Sequence, residues 1–575
     1  MKNINKLIAL LMMSMFVSCM DLDINTDPDS LSSSSGDIAS RMPGMQFWMG
    51  HTHQTTGVFA ALINQQITLS NRGNDRYGSL AEWTATNNSA STYPYQAFYV
   101  GAAGTFADVY AMGEKQGAYH YMGVIKLFRA MGFMVMCDVF GEMPYTKALS
   151  AEINPVYDDG KTIFYGALAE LDEAIELFGR TQEAGATALA KGDSWNGGDV
   201  SKWIKLCYSL KARWLNNLSK KSDLYDPTAI LAALSNAIQS NADNTIINHE
   251  NATSSINDNL WGDDIKTNYI YIWLVNWSRV YYVTKWYADL LTDFDGQGII
   301  DPRADKLVPS QQIKGGTEWF RTPGVDMQSD IRMNTNWRGP GLYDATTGEW
   351  TVTATTDSTV ISLQSKGIHS PSYRDVAEDG TIVNSGTFYT RSDAPTHLVC
   401  YPEMCFIKAE VLFRQGQTGP AFDAYKEGIK AHIDLMNERL TVGDVNIAKK
   451  AITTTERDDY LSSAAIGTAA NLTLGKIMMQ KFIALSFSNQ NWNDMRRMDY
   501  SPTIYYNWAE PYERTSNNND KKWIPAGKQY RRLGYVGHEY NYNNANLKAS
   551  HPNALLDDIR SFNVWWDYPT DNYKD

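Results

Sequence analysis

Apolar residues recur at helical spacing over several long stretches of the chain. Ile163, Phe164, Leu168, Leu171, Ile175 and Phe178 predict a helix over 159–179. Trp203, Leu206, Leu210, Trp214 and Leu218 predict another over 201–219. Phe106, Tyr110, Tyr121, Ile125, Phe128 and Met131 mark the buried faces of a helical stretch over 104–133. Further helices are expected at 44–70, with a mixed apolar face through Phe47, Trp48, Phe59 and Leu62, and at 227–240 and 471–489. A hairpin is expected over 401–416 and 420–437. Phe406, Ala409, Leu412 and Phe413 line its first helix, Gly416 ends it, and Ala421, Ala424, Tyr425 and Ile429 line the second.

Between 245 and 398 this periodicity fades, and Gly, Asn, Thr, Ser and Asp punctuate short runs. One helix is expected within 269–291, from Trp273, Trp277, Val280, Tyr281 and Thr284. Short strands are expected at Thr351-Val352-Thr353 and Phe388-Tyr389-Thr390. Beyond Asp499 the chain is irregular and aromatic. The hairpin over 401–437 resembles a tetratricopeptide unit. The expected fold is therefore mainly α: tetratricopeptide-like helix pairs form a scaffold that carries a large, loop-rich insertion with short strands. One domain, 41–575, would comprise scaffold at 41–244 and 399–499, the irregular part at 245–398, and a C-terminal segment at 500–575.

Composition narrows the function. A net charge of −13 argues against nucleic acid, whose binders need a basic footprint. Of five cysteines, Cys137, Cys207, Cys400 and Cys405 sit in helix-like apolar segments and read as small buried hydrophobes. The chain is rich in aromatics, with 17 Trp and 33 Tyr; those in loop-like segments offer flat faces for ligands.

The N-terminus has basic Lys2 and Lys6, an apolar run from Leu7 to Val17, then Ser18-Cys19. The run is shorter than the roughly 20 residues a membrane span needs, and fits a secretory signal. It resembles a bacterial lipoprotein signal, 1–18, with Cys19 as the acylated first residue, although Phe16 stands where Leu is commonest. The alternative is an ordinary signal peptide with an incidental cysteine. Lipidation would make Cys19 a membrane anchor, because two or more acyl chains hold stably where one does not. Acidic, polar sequence then reads as a leash over 19–40. Acidic residues at that place resemble the surface-export signal of Bacteroidetes lipoproteins.

Ordered motifs add a family resemblance. Asp138-Val139-Phe140-Gly141-Glu142-Met143-Pro144-Tyr145 resembles a turn of the SusD/RagB lipoproteins, and Leu171-Asp172-Glu173-Ala174-Ile175 their next helix. Trp203 to Arg213 is similar to another of their helices, with Tyr208 in place of the usual Asn. Glu403 to Glu410, Asn491 to Arg497 and Asn563 to Asp567 are similar to later motifs. The resemblance implies a lipid-anchored nutrient binder on the outer-membrane cell surface. It would deliver glycans, or peptides, to a SusC-like TonB-dependent transporter and break no bonds. Trp492, Arg496 and Arg497 are expected to hold the scaffold together by stacking and bidentate hydrogen bonds.

Ligand candidates fall in two places. One loop holds Arg72, Trp83 and Asn88; starch-binding members of the family use a Trp followed five residues later by an Asn, the spacing of Trp83 and Asn88. Trp83 reads equally as a core residue beneath that loop. In the irregular part, Trp319 and Trp337 stand in Gly-rich loops with Arg321 and Arg338 beside them, which can meet a carboxylate.

Catalytic and metal motifs are missing. There is no Gly-x-Ser-x-Gly elbow, and Gly160-Lys161-Thr162 has Pro155 where a phosphate loop needs Gly. His249-Glu250 and His538-Glu539 lack the second His of a zinc helix. Asp293, Asp295 and Gly296 hint at a calcium loop without the closing Glu, so no metal or cofactor is expected. A surface glycoside hydrolase and a tetratricopeptide-type protein scaffold remain as alternatives to the binder. Cys19→Ser is expected to release the protein from the membrane fraction and abolish uptake; unchanged membrane retention would refute the anchor.

Overall fold

A computed structural model describes residues 36–69, 78–84, 91–150, 152–250, 259–262, 281–312, 319–328, 342–344, 349–351, 367–377, 380–383, 386–437, 451–512, 524–525 and 527–574. Cys19 and most of the expected leash lie outside these residues. The leash, expected to reach residue 40, gives way earlier, because helix α1 (Ile38–Ile63) starts where Asp37 caps it by accepting from the Ser40 amide. From Met45 onward this helix has no exposed face: Gln46, His51, Thr52, His53 and Gln54 are buried like Met45 and Phe59. A helix covered all round is core. Thr52 and Thr56 donate to carbonyls one turn back, at 2.9 Å each, whereas Gln46 donates to Asp193 at 2.8 Å and Gln54 to Asn259 at 3.0 Å. Gly57 permits the closest approach, since a Cβ there would stand 2.2 Å from the Phe487 carbonyl oxygen.

The stretch predicted over 104–133 is two helices, α2 (Phe106–Gln116) and α3 (Tyr119–Phe140), because Gly117 turns left-handed between them at φ 62°. Helix α3 packs antiparallel on α4 (Gly160–Gly179). Arg129 pairs with Glu170, Lys126 with Glu173, and the Phe178 ring covers Gly123. A second pair follows, α5 (Val200–Asn217) and α6 (Pro227–Asn236). Asp159, Asp199 and Asp226 each cap a helix start by accepting backbone N–H bonds.

The irregular part is built from two-stranded pieces. Strand β1 (Ile67–Leu69) precedes it; β2 (Thr245–Ile247) and β3 (Tyr281–Val283) belong to it. Helix α7 (Lys285–Thr292) comes next, then strands β4 (Ser310–Gln312), β5 (Trp319–Arg321), β6 (Leu342–Asp344) and β7 (Glu349–Thr351), and finally β8 (Thr396–Val399). The antiparallel pairs are β1–β3, β2–β8, β4–β5 and β6–β7. The helix expected through 291 gives way, over 281–283, to a buried strand; helix starts only at Lys285, capped by Thr284. Aromatic and β-branched Tyr281, Tyr282 and Val283 are better accommodated between β1 and the core than on a helix. Phe388 to Thr390 is a turn instead of a strand, closed by the Thr387 amide donating to Thr390 Oγ1 at 2.8 Å.

The third helix pair is α8 (Tyr401–Arg414) and α9 (Thr418–Asn437). The single helix expected at 471–489 is shorter: α10 (Leu474–Ala484) stops, Phe487 adopts φ 66°, and α11 (Asn489–Arg497) starts under a Ser488 cap. The C-terminal segment carries the short helices α12 (Gly537–Tyr542) and α13 (Asn544–Ser550) and fully buries Trp565 and Trp566. All four downstream cysteines are free and buried, as their apolar neighbours implied.

Buried charge wires the matched motifs together. Arg213 forks onto Glu403 at 2.6 Å through both Nε and Nη2, joining α5 to α8. Arg497 forks onto Glu410 and reaches Asp494 through Nε at 2.8 Å. Arg496 lies over the rings of Trp492 and Trp566, and donates to the Asp138 carbonyl at 2.6 Å. The Asp138 carboxylate accepts from Asn493 at 2.8 Å and from the Trp566 indole at 2.9 Å. Gly141, at φ 86°, leaves room for Arg532, which donates to Glu142 at 2.6 Å.

Burial opposes ionisation of Glu142, but Arg532, helped by Lys574, outweighs it and lowers the carboxyl to about 2. A depressed carboxylate stabilises the fold above its unfolded value near 4.5, and that contribution is lost as pH falls toward about 2. Glu142→Gln is therefore expected to flatten the pH dependence of stability between those values, removing on the order of 3 kcal/mol of pH-linked change. Denaturant unfolding at stepped pH checks this; an unchanged slope would refute it.

Candidate functional site

Of the ligand candidates expected in the irregular part, the described ones lie on the β4–β5 hairpin. Its register pairs Ser310 with Arg321 and Gln312 with Trp319. Trp319 and Arg321 are two apart on one strand, so they share a face. The Ser310 amide donates to the Pro371 carbonyl at 2.8 Å, and that of Thr322 to Pro309 at 2.9 Å. These bonds lay the turn Tyr373–Asp375 against β5 and against the short helix Ala304–Leu307. Asp305 of that helix accepts from Arg321 Nη1 at 2.6 Å. Tyr373, on that turn, is 40% exposed. Trp319 is 8% exposed, and its indole N–H is buried with no acceptor among the described residues.

This arrangement has a definite chemistry. Asp305 offsets the Arg321 charge, so the pair does not select an anion. That revises the expectation that Arg321 meets a carboxylate. Among the described residues the Nε and Nη2 groups of Arg321 have no partner and remain as donors. An aromatic edge, donors and a carboxylate with spare lone pairs suit a neutral, hydroxylated ligand. Asp305 and Tyr373 were not foreseen. Nothing in their local sequence marks them, because their relevance comes from the bonds of Ser310 and Thr322.

The other expected residues divide. Arg72, Asn88 and Trp337 lie outside the described residues, as do Arg338, Trp273 and Trp277. Trp83 is described, and the platform reading is corrected: it is 0% exposed. At φ 56° its backbone turns the indole inward. The ring meets Tyr500, Trp508 and Tyr530 with centroids 5.5, 5.9 and 6.1 Å away, and Nε1 donates to the Ile63 carbonyl at 2.9 Å. Its partners come from the far C-terminal segment, which local reading could not supply.

The hinted calcium loop is used internally. Asp293 accepts from the Gly298 amide at 2.6 Å, and Asp295 pairs with Lys476 at 3.1 Å. Among the described residues no three His, Cys, Asp or Glu side chains are placed to hold a metal ion. No described helix is long and apolar enough to cross a membrane. A groove of about 640 Å³ runs between α6, α8 and α9, over Leu231, Leu234, Met404 and Ala424, with Lys408 and Asp423 at its rim.

Trp83→Ala is expected to cost about 3–5 kcal/mol, the usual loss for a buried aromatic. Its thermal midpoint should fall by several degrees, while the affinity of the folded fraction for ligand is unchanged. Weakened binding at native stability would restore the platform reading.

Sequence and structure comparisons converge. The model of a SusD-like family, described as starch-binding associating with outer membrane, matches residues 45–318 and 352–531. No curated protein sequence matches the chain. A SusD/RagB family protein from Bacteroides thetaiotaomicron superposes with TM-score 0.64 at 18% identity, over 93% of this chain and 99% of its own. A chitin-binding protein superposes with TM-score 0.60 at 19% identity, over 92% and 100%. A SusD homolog from Parabacteroides distasonis gives TM-score 0.61 at 21% identity, over 93% and 98%. At such identities the superpositions speak for the fold. With the family match spanning both the helix pairs and much of the irregular part, this chain belongs to the SusD-like family.

Proposed function

We propose that this protein is a cell-surface lipoprotein that captures neutral glycan oligosaccharides and hands them to a SusC-like TonB-dependent transporter, without cleaving them. The family match carries the reading, since that family is described as starch-binding and associated with the outer membrane. A chitin-binding protein among the structural neighbours supports a glycan over a peptide. Exposed Tyr373 and the Arg321–Asp305 pair, beside buried Trp319, support a neutral sugar over an acidic one. Cys19 supplies the anchor in this reading, and the transporter is the partner.

The alternative of a tetratricopeptide-type protein scaffold draws support from the groove between α6, α8 and α9. It predicts no oligosaccharide affinity. A glycoside hydrolase predicts turnover. Calorimetry of the purified chain with starch- and chitin-derived oligosaccharides, followed by product analysis, separates the three. Saturable binding with intact sugar recovered is expected. Arg321→Ala and Tyr373→Ala should each weaken it, the arginine change by about tenfold or more, the worth of a hydrogen bond to a charged group. Steady release of shorter sugars would overturn the binder, and full affinity in both variants would overturn the site.

A further inference from the structure

A cavity of about 50 Å³ lies where the helical scaffold meets the irregular part. Helix α1 contributes His53, α5 contributes Arg213, and the turn after α10 contributes Ser486 and Phe487. Trp261 and Tyr389 of the irregular part complete the wall. Its size decides what it can hold. Pockets for sugar-sized ligands run to about 300–1,000 Å³, so this one is too small. One water needs roughly 10–15 Å³ on the same scale, so there is room for about three to five.

The walls ask for polar occupants. His53 is 9% exposed, and its imidazole has no hydrogen-bond partner among the described residues. Burial and the neighbouring Arg213 charge hold it neutral, with its pKa near 3. A neutral imidazole carries one donor and one acceptor, and leaving either unmet is unfavourable. Arg213 spends Nε and Nη2 on Glu403 and the Leu398 carbonyl, and its Nη1 has no partner among the described residues. Ser486 donates to Ile483 at 2.8 Å and bonds the Tyr287 hydroxyl at 2.8 Å, leaving lone-pair capacity toward the cavity. A metal is a poor occupant: His53, His397, Cys400 and Glu403 all line the space, yet no three such groups among the described residues converge on one point.

We propose that this cavity is a built hydration site, in which a cluster of about three to five ordered waters bridges His53 and Arg213 to the irregular part. The joint between scaffold and ligand-bearing region is then partly made of water, and a dry, packed joint is the alternative. The turn at Phe487 fits a site that the fold maintains at some cost. Its left-handed backbone, φ 66°, is held by its amide donating to Gln66 at 2.9 Å and by its ring against Trp261, with centroids 4.4 Å apart.

High-resolution diffraction of the full mature chain, with thermal unfolding of His53→Leu and His53→Gln, tests this. Water density within hydrogen-bond distance of the His53 ring and of Arg213 is expected. His53→Leu should lose at least one of those waters and melt lower than the native chain. His53→Gln, which can still bond water, should retain the cluster and most of the stability. A dry cavity, a side chain turned into it, or a His53→Leu variant that melts higher would overturn the proposal. If His53→Leu does not fold, the native density and His53→Gln decide.

Discussion

Arg497 is fully buried, and its guanidinium is forked onto Glu410 while Nε reaches Asp494. Taking such a charge out of water is tolerable only when its donors are met by fixed acceptors; removing one partner of a buried pair typically costs about 3–5 kcal/mol. The constraint propagates. Glu410 sits on α8, Arg497 and Asp494 on α11, and Asn216 of α5 donates to Glu410 at 2.9 Å. Three helices far apart in sequence are thereby held to one register. Arg496, the adjacent residue, looks the other way, toward Asp138 at the end of α3 and toward Trp566. Two neighbouring arginines join the N-terminal, central and C-terminal parts of the chain.

A second buried fork positions the irregular part. Arg213 forks onto Glu403 and donates to the Leu398 carbonyl at 3.1 Å, so the fork that ties α5 to α8 also fixes β8. Strand β8 pairs with β2, closing the irregular part onto the scaffold at its base. Beyond that base the irregular part keeps further ties to the scaffold: buried Arg303 bonds His432 at 3.0 Å, Lys306 donates to the Met436 carbonyl at 2.9 Å, and Arg374 donates to the Ala451 carbonyl at 2.6 Å. A helical body that carries a loop-rich part tied to it by such bonds is a usual arrangement for loop-borne function. The expected aromatic platform at Trp83 belongs to the body. It is locked between Ile63 and the 500–530 segment, and contributes to the packing of α1 instead of to a surface.

Helix existence was legible in the sequence wherever one face was apolar. The pairs α3–α4, α5–α6 and α8–α9 follow the periodicity of Phe164, Trp203 and Phe406 and their neighbours, because those helices each bury one stripe. So did the scaffold role of Trp492, Arg496 and Arg497, since a motif dense in Trp, Asp and Arg needs mutual partners when buried. Local reading failed where long-range pairing outweighed local preference. Tyr281 to Val283 became strand because β1, more than 200 residues earlier, offers them an edge, and α10 ended because Phe487 had to meet Gln66. The candidate site was half legible for the same reason. Trp319 and Arg321 could be named from their loop, whereas Asp305 and Tyr373 entered only through the folding of the hairpin.

What the sequence by itself determined is therefore the existence of the helix pairs α3–α4, α5–α6 and α8–α9, the anchor expectation at Cys19 and the membership of a family of ordered motifs. These rest on local periodicity and on side-chain chemistry that any fold must respect. Only the tertiary structure decided which aromatics are core and which arginines are spent on carboxylates. Exposure and charge compensation are properties of a residue's neighbours in space. For Trp83, Arg321 and His53 those neighbours come from segments that nothing nearby in the chain announces.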